Sequence, residues 1–224
     1  MKALVARFAP SPTGYLHLGG VRTALINYIV VEQSKLKNKE SKLFIRIEDT
    51  DKKRSKEEYT ESILSGLKWL GINWTDNPII QSERLERHQE VAYKLLKNGK
   101  AFKCICTFEE LESKRIKNQK NQLNNKRLCD KCENDEAIQN KNENYCIRIK
   151  IPEEGNIKIT DKIQSTVSIN NDQIDNYILL RNNGTPTYML SVVVDDHDMG
   201  VNYIIRGDDH FNNAFRQIYI YKHM

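Results

Sequence analysis

Short apolar runs alternate with amphipathic stretches through the first third of the chain, and that alternation sets the expected fold. Val5–Phe8 reads as a strand. Val21, Leu25, Tyr28, Ile29 and Val31 follow at near-helical spacing. Lys42–Ile47 is a second strand, ending at Glu48-Asp49-Thr50-Asp51. Ser55-x-x-Glu58 has the form of a capping box. The helix behind it carries Tyr59, Ile63, Leu67 and Leu70 as its apolar stripe, with Gly71 as its stop. Strand–helix–strand–helix is the grammar of a parallel, doubly wound α/β sheet.

Ser82 is placed to cap another helix, with Leu85, Ala92, Leu95 and Leu96 on one face and Gly99 after it. Then the grammar changes. Thr107-x-x-Glu110 caps a short charged helix, and residues 118–144 are rich in Asn, Gln and Lys with little apolar content. Such a stretch is a loop or a small metal-held module. Residues 145–151 alternate apolar and polar as a half-exposed strand does, and 157–163 and 166–169 read as further short strands. Residues 177–181, the turn Asn182-Asn183-Gly184 and residues 186–194 predict a hairpin that runs back into a buried strand. Ser191-Val192-Val193-Val194 would sit at the sheet centre. Residues 201–206 read as one more apolar strand before a last helix with Phe215, Ile218, Ile220 and Tyr221. The expected organisation is an α/β domain in two halves, 1–83 and 187–224, interrupted by a mostly antiparallel insert at 84–186.

Composition narrows the class. With 39% hydrophobic and 29% charged residues among 224, the chain reads as soluble and globular. No apolar run approaches the roughly 20 residues that span a bilayer, and no signal peptide is visible, so a cytoplasmic protein without membrane partners is expected. A net charge of +5 permits nucleic-acid binding without demanding it. Five cysteines are an odd number, and four form two close pairs, Cys104-x-Cys106 and Cys129-x-x-Cys132. That pattern favours metal ligation in a reducing compartment over a disulfide framework. Four thiolates suit tetrahedral Zn²⁺, with free thiols as the alternative. Cys146, on the alternating strand, is either structural or a substitute for one of the four.

The segment from Arg7 to Gly20 carries the sharpest chemistry. It runs from a strand across a Pro/Gly turn to His17-Leu18-Gly19-Gly20 at a helix start. A glycine pair there lets a ligand lie against bare backbone, and a helix N-terminus suits phosphate. An ordinary βα turn has the same outline. Ligands of open α/β sheets bind beyond the carboxyl ends of the strands. Arg7, Glu48, Asp195-Asp196-His197 and the segment from Arg206 to His210 all fall at predicted strand ends. Two arginines and a glutamate fit an amino acid with an acidic side chain. The spacing fits equally a surface ion-pair net of Arg46, Glu48, Asp49 and Asp51, with Asp195 capping a turn.

The string Arg7-Phe8-Ala9-Pro10-Ser11-Pro12-Thr13-Gly14 resembles glutamyl-tRNA synthetase, and His17-Leu18-Gly19-Gly20 stands where class I aminoacyl-tRNA synthetases carry their "HIGH" motif. Arg46-Ile47-Glu48-Asp49-Thr50-Asp51, Leu67-Lys68-Trp69-Leu70-Gly71, Gln81-Ser82-Glu83-Arg84, Pro186-Thr187-Tyr188, Val193-Val194-Asp195-Asp196-His197 and Ile205-Arg206-Gly207-Asp208-Asp209-His210 resemble the same family in its own order. The resemblance implies a Rossmann-like catalytic domain with an inserted acceptor-stem-binding module, and a glutamate–tRNA ligase activity. It implies that Arg7, Ala9, Ser11, Glu48, Tyr188 and Arg206 bind L-glutamate, Arg7 at the side-chain carboxylate and Glu48 at the amino group. It implies that His17, Gly19 and Gly20, with His210 near them, serve ATP and its Mg²⁺. It further implies tRNA(Glu) as partner, activation that waits for tRNA, and Zn²⁺ on Cys104, Cys106, Cys129 and Cys132. Lys114, Arg115, Lys117, Lys120, Lys126 and Arg127 either meet tRNA phosphates or solvate a helix. A monomer is expected.

The family also uses a "KMSKS" loop and a helical anticodon-binding domain, and neither pattern occurs in these 224 residues. The expectation is therefore a catalytic-domain fragment, weak or inactive alone. Two other readings stay open: a glutamyl-queuosine tRNA synthetase-like enzyme, and a non-catalytic tRNA-binding or zinc module. The continuation Gly20-Val21-Arg22-Thr23-Ala24-Leu25 favours the full synthetase over the first. The intact set Arg7, His17, Gly19, Glu48 and Arg206 argues against the second.

Overall fold

The computed structural model describes residues 2–121 and 128–224. The chain divides into two compact units, Met1–Leu85 with Asp195–His210, and Glu86–Val194 with Phe211–Met224.

The first unit is built on a parallel sheet of β1 (Val5–Phe8), β2 (Lys42–Ile47) and β3 (Ile79–Ile80), in that order. Val5 pairs with Lys42 and Arg46 with Ile79. The crossovers are α1 (Leu18–Lys35) and α2 (Glu57–Trp69). Ala6, Phe8, Leu43, Ile45 and Ile47 of the sheet pack with Ala24 and Val31 of α1 and Ile63 and Leu67 of α2. α2 ends as expected, with Gly71 at φ +73°, a left-handed position that favours glycine.

Three local expectations fail here. α1 buries Ala24, Asn27 and Val31, while Leu25 and Ile29 stay 43% and 44% exposed. The helix is apolar on several faces, so spacing did not fix which face turns inward. Ser55 does not cap α2: the helix begins at Glu57, with Lys56 at the cap position and no side-chain cap bond. The Ser55 N–H donates to the Asp51 carbonyl, so the chain is still turning there, and its buried hydroxyl has no partner among the described residues. Ser82 lies inside a 3₁₀ turn, Gln81–Arg84, and the carboxylate of Asp49 satisfies that turn instead.

In the second unit, α3 (Leu85–Lys97) packs over an antiparallel sheet of β4 (Ala101–Cys104), β5 (Cys146–Ile149) and β8 (Ile178–Leu180). Between β4 and β5 lie α4 (Phe108–Lys120) and two single turns, α5 (Asp130–Glu133) and α6 (Glu136–Gln139). The Thr107/Glu110 capping box of α4 forms in both directions. β6 (Asn156–Asp161) and β7 (Ser165–Asn170) make a separate hairpin. The turn at Asn182-Asn183-Gly184 is present, with Gly184 at φ +78°. Val91, Leu95, Ile147, Ile149, Leu179 and Leu190 form its core with Phe215 and Ile220 of α8 (Phe211–His223).

The expected strand at 186–194 is a helix, α7 (Tyr188–Asp198). The Thr187 hydroxyl donates to the Ile178 carbonyl, and the Thr187 carbonyl accepts the first helical N–H groups, from Leu190 and Ser191. Residues 190–196 are all buried, so no polar face marks the helical period. Asp195 and Asp196 therefore end a helix, not a strand. Residues 201–206 form no strand either. The N–H groups of Asn202 and Tyr203 both donate to the Val5 carbonyl, and the Asn202 side chain caps Val5 N–H at 2.9 Å, so this segment leans on the sheet edge without a ladder.

Candidate active site

The sequence places β1 and β2 in parallel, so the polar residues after each strand emerge at the same end of the sheet. Two backbone bonds fix the turn after β1: Glu48 N–H donates to the Pro10 carbonyl at 2.9 Å, and Lys56 N–H to that of Pro12 at 3.1 Å. Ala9 is half-buried and Ser11 exposed beside them.

His17 is the N-cap of α1, in extended conformation and without a side-chain cap bond. Its imidazole is exposed, and the first turn carries no acidic residue. The positive end of the helix is thus open to an anion. Both glycines have a side chain close to where a Cβ would stand. A Cβ on Gly19 would lie 3.0 Å from His17 Cε1 and 3.1 Å from Nδ1, and one on Gly20 would lie 3.2 Å from Leu16 Cδ1. Gly66 of α2 lets the other methyl of Leu16 approach, its own Cβ position being 3.0 Å from Cδ2. Leu16 thereby anchors the turn that carries His17.

Beneath this turn lies a buried ion network. Arg46 is fully buried. Its Nη1 donates to Asp196 Oδ1 at 2.6 Å and its Nη2 to Glu48 Oε1 at 3.1 Å, while Asp195 Oδ2 lies 3.9 Å from its Nε. Arg7 Nε donates to the same Asp196 Oδ1 at 2.9 Å. Asp195 also takes Arg84 Nε at 2.7 Å and Gln81 Nε2 at 2.8 Å, and Arg84 reaches Asp198 with its other arm. Three guanidiniums thus face the carboxylates of Glu48, Asp195 and Asp196. Charges this deep in a protein persist only when paired in this way. Burial works against the charge on Arg46, but Asp196 and Glu48 outweigh it and lift its pKa above the ordinary value. Burial pushes the Glu48 carboxyl up, against the pull of Arg46 and Arg7.

The network corrects the alternative of a surface ion-pair net at 46–51. Arg46 and Glu48 are interior, Asp49 caps the 3₁₀ turn, and only Asp51 pairs at the surface, with Arg54. Asp195 is the hub for Gln81 and Arg84, residues that no local pattern connected to it. Arg206 is half-buried and follows Ile205, whose carbonyl accepts from Asn27 of α1 at 3.4 Å. His210 closes a short 3₁₀ turn, with Nε2 3.6 Å from Asp209. Tyr188, half-buried, opens α7 in the second unit.

The second unit gathers the cysteines. Cys104, Cys106 and Cys132 bring their sulfurs within 4.8 Å of one another, with Cys106 and Cys132 at 3.5 Å. Cys146 is the cross-strand partner of Cys104, and Cys129 packs in the same buried cluster. Those thiols, with Arg148 nearby, hold Cys104 well below the usual thiol range, and burial pushes Cys132 up to about 12. In tetrahedral Zn²⁺ the sulfurs sit about 3.8 Å apart, given Zn–S of about 2.3 Å, so this donor set fits the ion. The expected four-ligand set is brought together for Cys104, Cys106 and Cys132, while Cys129 lies outside that triad, against Cys104. Of the basic residues on α4, Lys114 donates to the Leu128 carbonyl and Arg115 pairs with Glu112. Lys126 and Arg127 lie outside the described residues. No helix among the described residues is long and apolar enough to cross a membrane.

The chain is similar to known proteins over its length. The sequence profile described as "tRNA synthetases class I (E and Q), catalytic domain" matches residues 3–224. Glutamate–tRNA ligase 1 of Erythrobacter litoralis is 50% identical over 222 residues, which cover 99% of this chain and 45% of the relative. Glutamate–tRNA ligase 2 of Rickettsia prowazekii is 49% identical over 224 residues, 99% of this chain and 46% of the relative. The crystal structure of a glutamate tRNA ligase from Elizabethkingia meningosepticum, in complex with its amino acid, superposes with a TM-score of 0.83 at 30% identity, over 100% of this chain and 47% of that one. The chain spans about half the length of the curated relatives it matches.

Proposed function

The chain belongs to the catalytic-domain family of the class I tRNA synthetases for E and Q, and from that premise we propose that it is the glutamate-activating part of a glutamate–tRNA ligase. The relatives named above are all glutamate–tRNA ligases. The observation that carries the reading is the charge arrangement around Arg46. The Arg7 guanidinium is held only by its Nε among the described residues, and Glu48 is held by Oε1 alone. A cationic fork and a carboxylate oxygen are thus left for a ligand that carries an acid and an amine.

In this reading Arg7 takes the side-chain carboxylate of L-glutamate and Glu48 its ammonium group. Ala9, Ser11, Tyr188 and Arg206 complete the glutamate site. His17, Gly19 and Gly20 receive the ATP phosphates at the start of α1, with His210 beside the nucleotide and Mg²⁺ entering as the counter-ion of the phosphates. The α-carboxylate of glutamate attacks the α-phosphate, pyrophosphate leaves, and the terminal ribose hydroxyl of tRNA(Glu) then takes the glutamyl group from the adenylate. The protein acts by positioning and by stabilising charge, with His17 donating to a phosphate oxygen as its charge grows. The segment 84–186 serves as the acceptor-stem module. Cys104, Cys106, Cys129 and Cys132 hold Zn²⁺ there as a structural ion, fixing a region with little apolar core. A cytoplasmic monomer accords with these roles.

The test is pyrophosphate exchange by the full-length gene product with ATP and glutamate, with and without tRNA(Glu). Exchange that depends on glutamate and appears only with tRNA is the expected result. Exchange without tRNA points to the queuosine-type relative, and no exchange in either case refutes the ligase reading.

A further inference from the structure

Asp196 has an unusual bonding pattern. Its Oδ1 accepts from two guanidiniums, Arg7 Nε at 2.9 Å and Arg46 Nη1 at 2.6 Å. Its Oδ2 is buried without a hydrogen-bond partner among the described residues. A carboxylate free to choose would form a fork with one arginine and use both oxygens. Here one oxygen is shared, so the carboxylate serves as a pivot between two cations. Arg46 passes the constraint on through Nη2 to Glu48 Oε1. Arg7, Asp196, Arg46 and Glu48 therefore form one continuous chain of charge-assisted bonds, nearly closed to solvent. It ends at one side in a guanidinium whose Nη groups are unspent, and at the other in a carboxylate with one oxygen unspent.

We infer that Asp196 is a positioning residue: by holding Arg7 at Nε it aims the two Nη groups at the carboxylate of the amino-acid substrate, and through Arg46 it fixes the span between that fork and Glu48. The inference rests on the assignment of Arg7 and Glu48 to glutamate. Arginine alone supplies this handle, because lysine has no second nitrogen to be held while its terminal charge is used. The span matters because a fork and an acceptor at fixed separation fit one length of amino acid, and a small misplacement of either loses orientation.

The experiment is steady-state aminoacylation by the full-length gene product, measuring KM for glutamate and for ATP in wild type, Arg7→Lys, Asp196→Asn and the double variant. Asp196→Asn keeps the shape and an acceptor oxygen but removes the charge that holds both guanidiniums. It is expected to raise the glutamate KM about tenfold while the ATP KM stays within about twofold. The double variant is expected to exceed Arg7→Lys by less than the shift of Asp196→Asn alone, since the part of its action that runs through Arg7 is already gone and only the part through Arg46 remains. Multiplicative effects, or equal shifts in both KM values, overturn the inference. An unchanged glutamate KM in Arg7→Lys instead overturns the assignment beneath it. Should Asp196→Asn fail to fold, Arg46→Lys tests the same geometry: it keeps the charge but replaces the two nitrogens that hold Asp196 and Glu48 at a fixed separation with one. A raised glutamate KM with an unchanged ATP KM supports the pivot, and an unchanged glutamate KM overturns it.

Discussion

Asp49 grips Ser82 with both carboxylate oxygens, Oδ1 accepting the backbone N–H at 2.8 Å and Oδ2 the hydroxyl at 2.6 Å. That clasp ties the end of β2 to the 3₁₀ turn that carries Gln81 and Arg84, and both of those reach Asp195. Asp49→Ala leaves a half-buried turn without its acceptor. We expect a loss of about 1–3 kcal/mol in stability by urea denaturation, with Ser82→Ala costing less because the N–H bond survives.

Arg46→Met probes the network itself. Removing a buried cation from between Glu48, Asp195 and Asp196 leaves carboxylates without their partner. The expected cost is about 3–5 kcal/mol. A change below 1 kcal/mol, measured by chemical denaturation, would show the network to be neutral for stability.

Glu48 gives a pH signature. Burial raises its pKa in the fold above the ordinary carboxyl value of 4.5. A raised pKa means the folded state holds the proton more tightly than the unfolded chain. The resulting stabilisation is therefore fullest below the unfolded value and is lost as pH rises through the folded one. Glu48→Gln is expected to leave the melting temperature at pH 8 equal or higher. In the role proposed for Glu48, recognition runs the other way, because the ionised carboxylate is the stronger acceptor for the substrate ammonium. The glutamate KM should rise on the acid side, beginning above the ordinary carboxyl range, while the ATP KM stays flat. A glutamate KM that is flat down to pH 5 removes Glu48 from that role.

Gly19→Ala should separate catalysis from stability. The added methyl meets only the exposed His17 ring, at 3.0 and 3.1 Å. The ring can swing aside, so the melting temperature barely moves. Its position at the proposed phosphate site is lost, and pyrophosphate exchange should fall about 10²-fold. Exchange within twofold of wild type would exclude His17 from the reaction.

The thiol cluster can be read by metal analysis. Cys132→Ser removes one of the three sulfurs brought within 4.8 Å and is expected to abolish zinc retention and lower the melting temperature. Cys146→Ser is expected to retain about one zinc per chain, because the proposed fourth ligand is Cys129. Loss of zinc in Cys146→Ser but not in Cys129→Ser would exchange the two.

Local chemistry was legible wherever a residue's partner lies within a turn of it. The Thr107/Glu110 capping box, the left-handed Gly71 and Gly184, the two parallel strands and the glycine pair after His17 could all be read from neighbours. Pattern failed where burial is uniform. Residues 190–196 are buried on every side, so no alternation of buried and exposed positions tells a helix from a strand, and the Thr187 bonds decide between them. It failed again where the partner is distant. Arg46 lies 150 positions from Asp196 and Arg7 lies 189, and nothing near any of the three marks the shared oxygen. The sequence by itself determined which charged groups the sheet carries at its strand ends. Tertiary structure decided which of them are consumed by one another and which keep a free hydrogen-bonding group, because buried charges must pair and only the folded chain brings their partners within reach.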